Sequence, residues 1–280
     1  MKKTLLTFLL LSSYLLLLYG CDKIEKDQYW VYAGANGTWY DTDEDIPDVQ
    51  NAFVEKYTGV RCVNCPKADE VLHAALEKYG DRLTVVAVHS GVFARPYGND
   101  PDLTTDEGNS WYEYFGISAQ PAAMLMRPKN GSAWDIFTPT SNFDSKIDEV
   151  LNAPASVAMK IASVADENNG RAADIFVSFQ SDIHDSLTLT VLLMEDKIYT
   201  TQESSTKNKI ENYEQNHVLR QTITDPWGID IDAAGTAGEK RTVRLNYEIK
   251  DHINPDNCTL VAFVSNKNTR KILNVTRCTL

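Results

Sequence analysis

The chain has 280 residues, 43% hydrophobic and 24% charged, the mixture of a polypeptide that buries a real core. Intrinsic disorder and low-complexity architectures are excluded, and the length suits one large domain or two ordinary ones. Twenty-seven basic residues against thirty-nine acidic ones leave a formal net charge of −12. No Lys/Arg-rich run offsets that balance, so a nucleic-acid partner is not expected.

Met1-Lys2-Lys3 precedes an apolar stretch over residues 5–18, interrupted only by Thr7, Ser12, Ser13 and Tyr14. Two positive charges before a short apolar run read as a secretory signal, too short and too soon followed by charge for a membrane span. The stretch ends Leu18-Tyr19-Gly20-Cys21, which resembles a bacterial lipobox. The expectation is a lipoprotein signal over 1–20, an acylated Cys21 that anchors the chain to lipid in the cell envelope, and a polar tether and linker over 21–48.

With Cys21 assigned to lipid, four cysteines remain in an oxidising compartment. Cys62 and Cys65 form a C-x-x-C; Cys258 and Cys278 lie near the C-terminus. Residues 258–264 and 272–278 read as strands joined by a polar connector. A hairpin centred on Asn268 sets Val264 opposite Ile272 and Cys258 opposite Cys278, which predicts a structural disulfide there.

Residues 52–57 read as a strand, followed by the C-x-x-C and then by Ala68, Val71, Leu72, Ala75, Leu76 and Tyr79 at helical spacing. Gly80 stands where a C-terminal cap belongs. Residues 83–89 suit a strand buried on both faces. A short aromatic helix (Trp111, Tyr112, Phe115), a proline-led strand over 122–126, an Asn130-Gly131 turn, a strand over 133–137 and a helix over about 142–151 follow. The order resembles a thioredoxin fold, assigned to residues 49–153.

Glu55-Lys56-Tyr57-Thr58-Gly59-Val60-Arg61-Cys62-Val63-Asn64-Cys65-Pro66 resembles the signature of a Bacteroidetes lipoprotein family named after a twenty-eight-kilodalton outer-membrane protein. The resemblance continues in Tyr79-Gly80-Asp81-Arg82, in Val86-Ala87-Val88-His89-Ser90-Gly91 and in Asn216-His217-Val218-Leu219-Arg220. It implies an outer-membrane or surface lipoprotein with a thioredoxin-like domain and a following all-β domain. Some such proteins are described as adhesins or receptors.

A C-x-x-C at a helix N-terminus is suited to redox chemistry because unpaired N–H groups and the helix dipole stabilise a thiolate. Cys62 would attack a partner disulfide and Cys65 would resolve the mixed disulfide. Arg61 and Lys67 add positive potential. Pro121 matches the cis-proline beside the dithiol of thioredoxin-like proteins, with Gln120 pairing an extended substrate. Thioredoxins carry a buried Asp six residues before the first cysteine; here that position is Lys56, with Glu55 as the substitute proton relay. A structural disulfide in a binding scaffold is the competing use. No second ligand pair supports a metal, and no cofactor is expected.

His73 is expected on the exposed side of its helix; His89 is expected to pack at a strand end or in the core, with a supporting role near the cysteines as the weaker alternative. The run Asp41-Thr42-Asp43-Glu44-Asp45 begins like a calcium loop but has Ile46 at the turn glycine's place; a solvated linker is expected. From residue 154 the pattern changes to period-two alternation: Val157, Met159 and Ile161, then Ile175, Val177 and Phe179, then Leu187 to Leu193 in steps of two, then Val243 to Ile249. This predicts an antiparallel immunoglobulin-like β-sandwich over 154–280. The polar stretch 200–238 is its expected binding surface; Tyr199, Tyr213 and Trp227 are available there as anchors, although single aromatics in loops more often pack locally. Two functions stand: thiol–disulfide exchange with exported protein thiols, or non-catalytic binding of a surface ligand.

Overall fold

The computed structural model describes residues 37–139, 143–165, 171–206 and 208–280. The signal, Cys21 and the start of the tether lie outside the described residues.

Strand β1 (Trp39–Asp41) opens the described chain. Strands β2 (Ala52–Thr58) and β3 (Leu83–His89) are buried at every position and pair in parallel, from Ala52 beside Leu83 to Thr58 beside His89. Helix α1 (Cys65–Tyr79) crosses between them and buries Ala68, Leu72 and Ala75. Pro66 sits in its first turn, where a missing N–H costs no ladder bond. Gly80, at φ +55°, ends the helix with its N–H on the Leu76 carbonyl. Helix α2 (Asp106–Tyr114) is capped by the Thr105 hydroxyl, which accepts from Gly108 N at 2.9 Å. Strand β4 (Ala122–Leu125) lies antiparallel on the other side of β2, preceded by a cis Gln120–Pro121 bond. The short strands β5 (Lys129–Asn130) and β6 (Ala133–Trp134) and helix α3 (Asp144–Asn152) complete this part.

Four strands form an antiparallel sheet in the order β1, β14 (Lys240–Tyr247), β8 (Arg171–Phe179), β7 (Val157–Ala165). The remaining strands do not form a separate sheet. Strands β9 (Leu187–Glu195), β12 (Val218–Thr222), β15 (Cys258–Asn266) and β16 (Ile272–Thr279) extend the sheet of β2 and β3. Its order is β16-β15-β9-β12-β3-β2-β4, with β13 (Ile229–Asp230) beside β9. The junction is narrow: β12 meets β3 in parallel at Val218 and Ala87. Strands β10 (Ile198–Ser204) and β11 (Asn208–Gln215) form a hairpin outside both sheets.

The long sheet coils until β15 and β16 return over β2. The Phe53 and Phe263 rings lie 5.1 Å apart, and Ile272 N donates to Met126 O at 2.9 Å. Strands β9 and β15 therefore bury both faces. Leu189, Val191, Leu193, Leu260 and Ala262 face the four-stranded sheet, while Leu192, Met194, Val261 and Phe263 join the core around β2.

The C-terminal hairpin forms, but its register differs from the expected one. Leu260 pairs with Cys278 and Val264 with Asn274, with an irregularity between Val264 and Ser265. The cause is the turn: Asn266 Oδ1 accepts from Asn268 N and Thr269 N, and Asn266 N reaches Lys271 O. Cys258 and Cys278 share a face in diagonal positions rather than opposing each other. Both are free thiols, so the disulfide expected between them is absent. Burial, and next the Glu195 carboxylate, push the Cys258 thiol up to about 12. Burial also raises Cys278.

Candidate functional site

Cys62 and Cys65 are joined by a disulfide at the N-terminal end of α1. The turn before the helix is closed by Cys62 N on Gly59 O at 3.0 Å and Cys65 N on Cys62 O at 3.1 Å. Gly59 is required by packing, because a Cβ there would collide with the Phe93 backbone. The first helical turn holds no acidic side chain, so the positive end of the helix dipole faces the cysteines undiminished.

Arg61 is turned away from the sulfurs. Its N–H groups donate to the carbonyls of Arg95 (2.8 Å) and Pro96 (2.9 Å), and its guanidinium lies 3.9 Å from the Tyr97 ring centroid. Its main-chain N–H meets Phe93 O at 2.8 Å. Arg61 thus fixes the segment around the 3-10 turn Val92–Ala94 beside the C-x-x-C. Val63, Val92 and Phe93 are exposed there, three of the large apolar side chains that the described residues leave in water.

Adjacent residues of a strand point to opposite faces, and β2 separates Glu55 from Lys56 in this way. Lys56, 5% exposed, reaches Asp69 on α1, and Tyr213 of β11 donates to the same carboxylate at 2.9 Å. Glu55 faces the coiled-back sheet instead. It is fully buried and accepts from Arg127 Nε at 2.7 Å and Nη2 at 2.5 Å. The Arg127 guanidinium lies about 5 Å from the ring centroids of Trp111, Phe115 and Phe263. Glu55 is therefore committed on the far face, which corrects its expected role as proton relay for the cysteines.

His89 shares the α1 face with Lys56. It is 1% exposed, and neither ring nitrogen meets a hydrogen-bond partner among the described residues. Burial, then Lys56 and Arg220, push its pKa down to about 3. Its strand-end packing role is as expected, and so is the exposure of His73, which sits 3.4 Å from Glu77. Gln120 Nε2 donates to Ser90 O at 3.0 Å, and Pro121 is half-buried beside it.

Cys62 is only 4% exposed and Cys65 1%. The β10–β11 hairpin covers the turn. Glu203 N donates to Val60 O (2.7 Å), Ser205 N to Val63 O (2.9 Å), and Gln202 Nε2 to Cys62 O (3.1 Å) and Gly59 O (3.3 Å). Tyr97 donates its hydroxyl to Glu203, and Thr201 N meets Asp100 Oδ2 at 2.7 Å. The first part of the polar stretch expected to be a binding surface, residues 200–206 and 208–215, is thus a hairpin folded onto the C-x-x-C turn, while 218–222 and 229–230 join the long sheet. Tyr199 bonds Glu214 within the hairpin, and Trp227 packs on Tyr114 at 4.6 Å. Between α1 and the hairpin lies a cavity of about 720 Å³, floored by Val85 and Ala87 and walled by Leu72, Leu76, Ile210 and Tyr213.

Sequence reasoning missed Asp69, Arg127 and Gln202. Glu55, an acid inside an otherwise buried strand pattern, was the one signal that a cation such as Arg127 had to lie near. Gln202 carried none.

A sequence profile of the family described as outer membrane protein Omp28 matches residues 108–280, a span that begins after the C-x-x-C. No curated protein matches the chain. Among solved structures, HBP35 of Porphyromonas gingivalis is similar at a TM-score of 0.66 and 18% identity, covering 84% of this chain and 77% of its own. A protein of Agrobacterium tumefaciens is similar at 0.51 and 14%, covering 82% of this chain and 95% of its own. A domain of the outer membrane lipoprotein Omp28 from Porphyromonas gingivalis, at 0.31 and 16%, covers 45% and 88%. At these identities the likeness of the first two is one of fold.

Proposed function

This chain belongs to the outer membrane protein Omp28 family, and from that premise we propose that it exchanges disulfides with exported polypeptides through Cys62 and Cys65. Its location, the outer membrane, comes with the family. No helix among the described residues is long and apolar enough to cross a membrane. In this reading an acylated Cys21 supplies the anchor. Residues 49–153 form a thioredoxin-like part and residues 154–280 an immunoglobulin-like β part, the two sharing the long sheet. The parallel β2–β3 pair with α1 crossing between, and β4 antiparallel beside β2, support the first assignment.

The carrying observation is the placement of the disulfide: at a helix N-terminus whose first turn holds no acidic residue, rimmed by exposed Val63, Val92 and Phe93. Apolar side chains left in water around a dithiol fit a polypeptide partner. Cys62 would carry the exchange, Cys65 would complete it, and Gln120 and Pro121 would border the bound segment.

The test is the reduction potential of the pair in the detergent-solubilised full chain. The expected value lies between roughly −270 and −120 mV, the range of exchanging dithiols. Cys65→Ser should then trap mixed disulfides on Cys62. A potential well below about −300 mV would sink this reading. It would favour a surface-binding protein in which the pair is a staple, as the burial of Cys62 and the cation Lys56 suggest. The ligand search would then start at the cavity beside α1.

A further inference from the structure

The β10–β11 hairpin leaves and rejoins the long sheet through two unusual residues. Lys197 has φ +60° and His217 φ +59°, a left-handed conformation that residues with a Cβ adopt rarely. The two feet are clasped to each other: His217 N donates to Asp196 Oδ1 at 2.5 Å and Lys197 N to Asn216 Oδ1 at 2.9 Å. Beyond these two turns the hairpin pairs only with itself among the described residues.

The face that the hairpin lays on the C-x-x-C is largely polar, with Ile198 at its foot packed in the small apolar cluster of Val60, Leu103 and Val218. Thr200, Gln202, Ser204 and Gln215 are all buried, and Gln215 Nε2 bonds Thr200 Oγ1 and Gln202 Oε1 at 3.0 Å. Hydrogen bonds to the protein can be replaced by hydrogen bonds to water at small net cost, whereas apolar burial cannot. This contact therefore opens more readily than the core beneath it.

The way the hairpin is held also indicates what can replace it. Glu203 and Ser205 are alternate residues, and their N–H groups meet the carbonyls of Val60 and Val63 on either side of Cys62. Alternate N–H groups on one edge are what any extended strand presents. We propose that the hairpin is a hinged cover over the disulfide, and that an extended segment of a thiol-bearing polypeptide takes its place on the Val60 and Val63 carbonyls.

The inference rests on the exchange reading and names its substrate class. The partner's thiolate attacks the Cys62 sulfur, the Cys62–Cys65 bond breaks, and Cys65 leaves as a thiolate that takes a proton from solvent. A second partner thiol then attacks the mixed disulfide. The partner ends as a disulfide, and two electrons rest on the reduced Cys62 and Cys65.

Hydrogen exchange and reduction kinetics on the full chain in detergent test the cover. The amides of Glu203 and Ser205 should exchange at least about 100-fold faster than those of Val54 and Val86. Gln202→Ala should speed both that exchange and reduction by dithiothreitol, by a common factor of roughly ten. A dithiol peptide should reduce the pair several-fold faster than the same peptide N-methylated at alternate amides. Equal exchange at Glu203 and Val54 in the unsubstituted protein overturns the cover. So does a Gln202→Ala reduction rate equal to the unsubstituted one, and equal rates for the two peptides overturn the strand-like occupant. The equilibrium reduction potential depends on end states and not on opening, so failure of the exchange reading registers there separately.

Discussion

Burying Glu55 and Arg127 together removes two full charges from water, and such a pair is tolerated only while both partners stay. Arg127→Met should leave an unpaired carboxylate under Phe263 and cost about 3–5 kcal/mol in urea unfolding. Glu55→Leu with Arg127→Met should recover most of that loss. His89 makes a pH-dependent contribution of known sign. The unfolded chain binds its proton near 6.5, the folded one only near 3, so between those values the unfolded state holds more protons and stability falls as pH falls. Between pH 7 and pH 5 this amounts to about 2 kcal/mol. His89→Phe should flatten the pH dependence of urea unfolding by that amount; an unchanged slope would refute the assignment. At this scale Cys62 and Cys65 were legible because a C-x-x-C closes within one turn of chain. The split of Glu55 and Lys56 onto opposite faces, each with a distant partner, was not, since partners at Arg127 and Asp69 follow from tertiary coiling.

Among the elements, β16 carries one side chain, Asn274, that links it to two other parts of the chain at once. Asn274 is fully buried; its Nδ2 donates to Val49 O and Val157 O, and its Oδ1 accepts from Asn51 N and Val275 N. It joins the approach to β2, the start of β7 and the last strand. Asn274→Leu orphans buried carbonyls and amides, and should cost about 2–4 kcal/mol by thermal or urea unfolding. Most strands were readable from apolar alternation, and α1 from its spacing. Two element-level features were not. The hairpin of β15 and β16 was registered from an assumed symmetric centre, whereas Asn266 caps the turn and an irregularity offsets the pairing. The β10–β11 hairpin left no apolar period to read, because its buried face is Thr200, Gln202, Ser204 and Gln215; burial by polar side chains is silent to hydrophobic patterning.

For the whole molecule, the order of helices and strands followed by period-two alternation announced a mixed part and then a β part, but not that one sheet would run through both. Because β15 and β16 cover the face of β2 that carries Phe53 and Glu55, the N-terminal part lacks its own lid. Urea unfolding of the full chain followed by tryptophan fluorescence and by far-ultraviolet dichroism should give coincident transitions. A chain ending at residue 153 should bind apolar dyes and lack a cooperative transition; a sharp one would show that β16 is dispensable.

Gln202 meets the Cys62 carbonyl across 140 residues of sequence, and that separation sets an order of events. A polypeptide delivered across a membrane from its N-terminus presents Cys62 and Cys65 long before Gln202 arrives. The turn that carries them therefore has no cover until that later segment joins the fold, and its arrival turns an open turn into a guarded one.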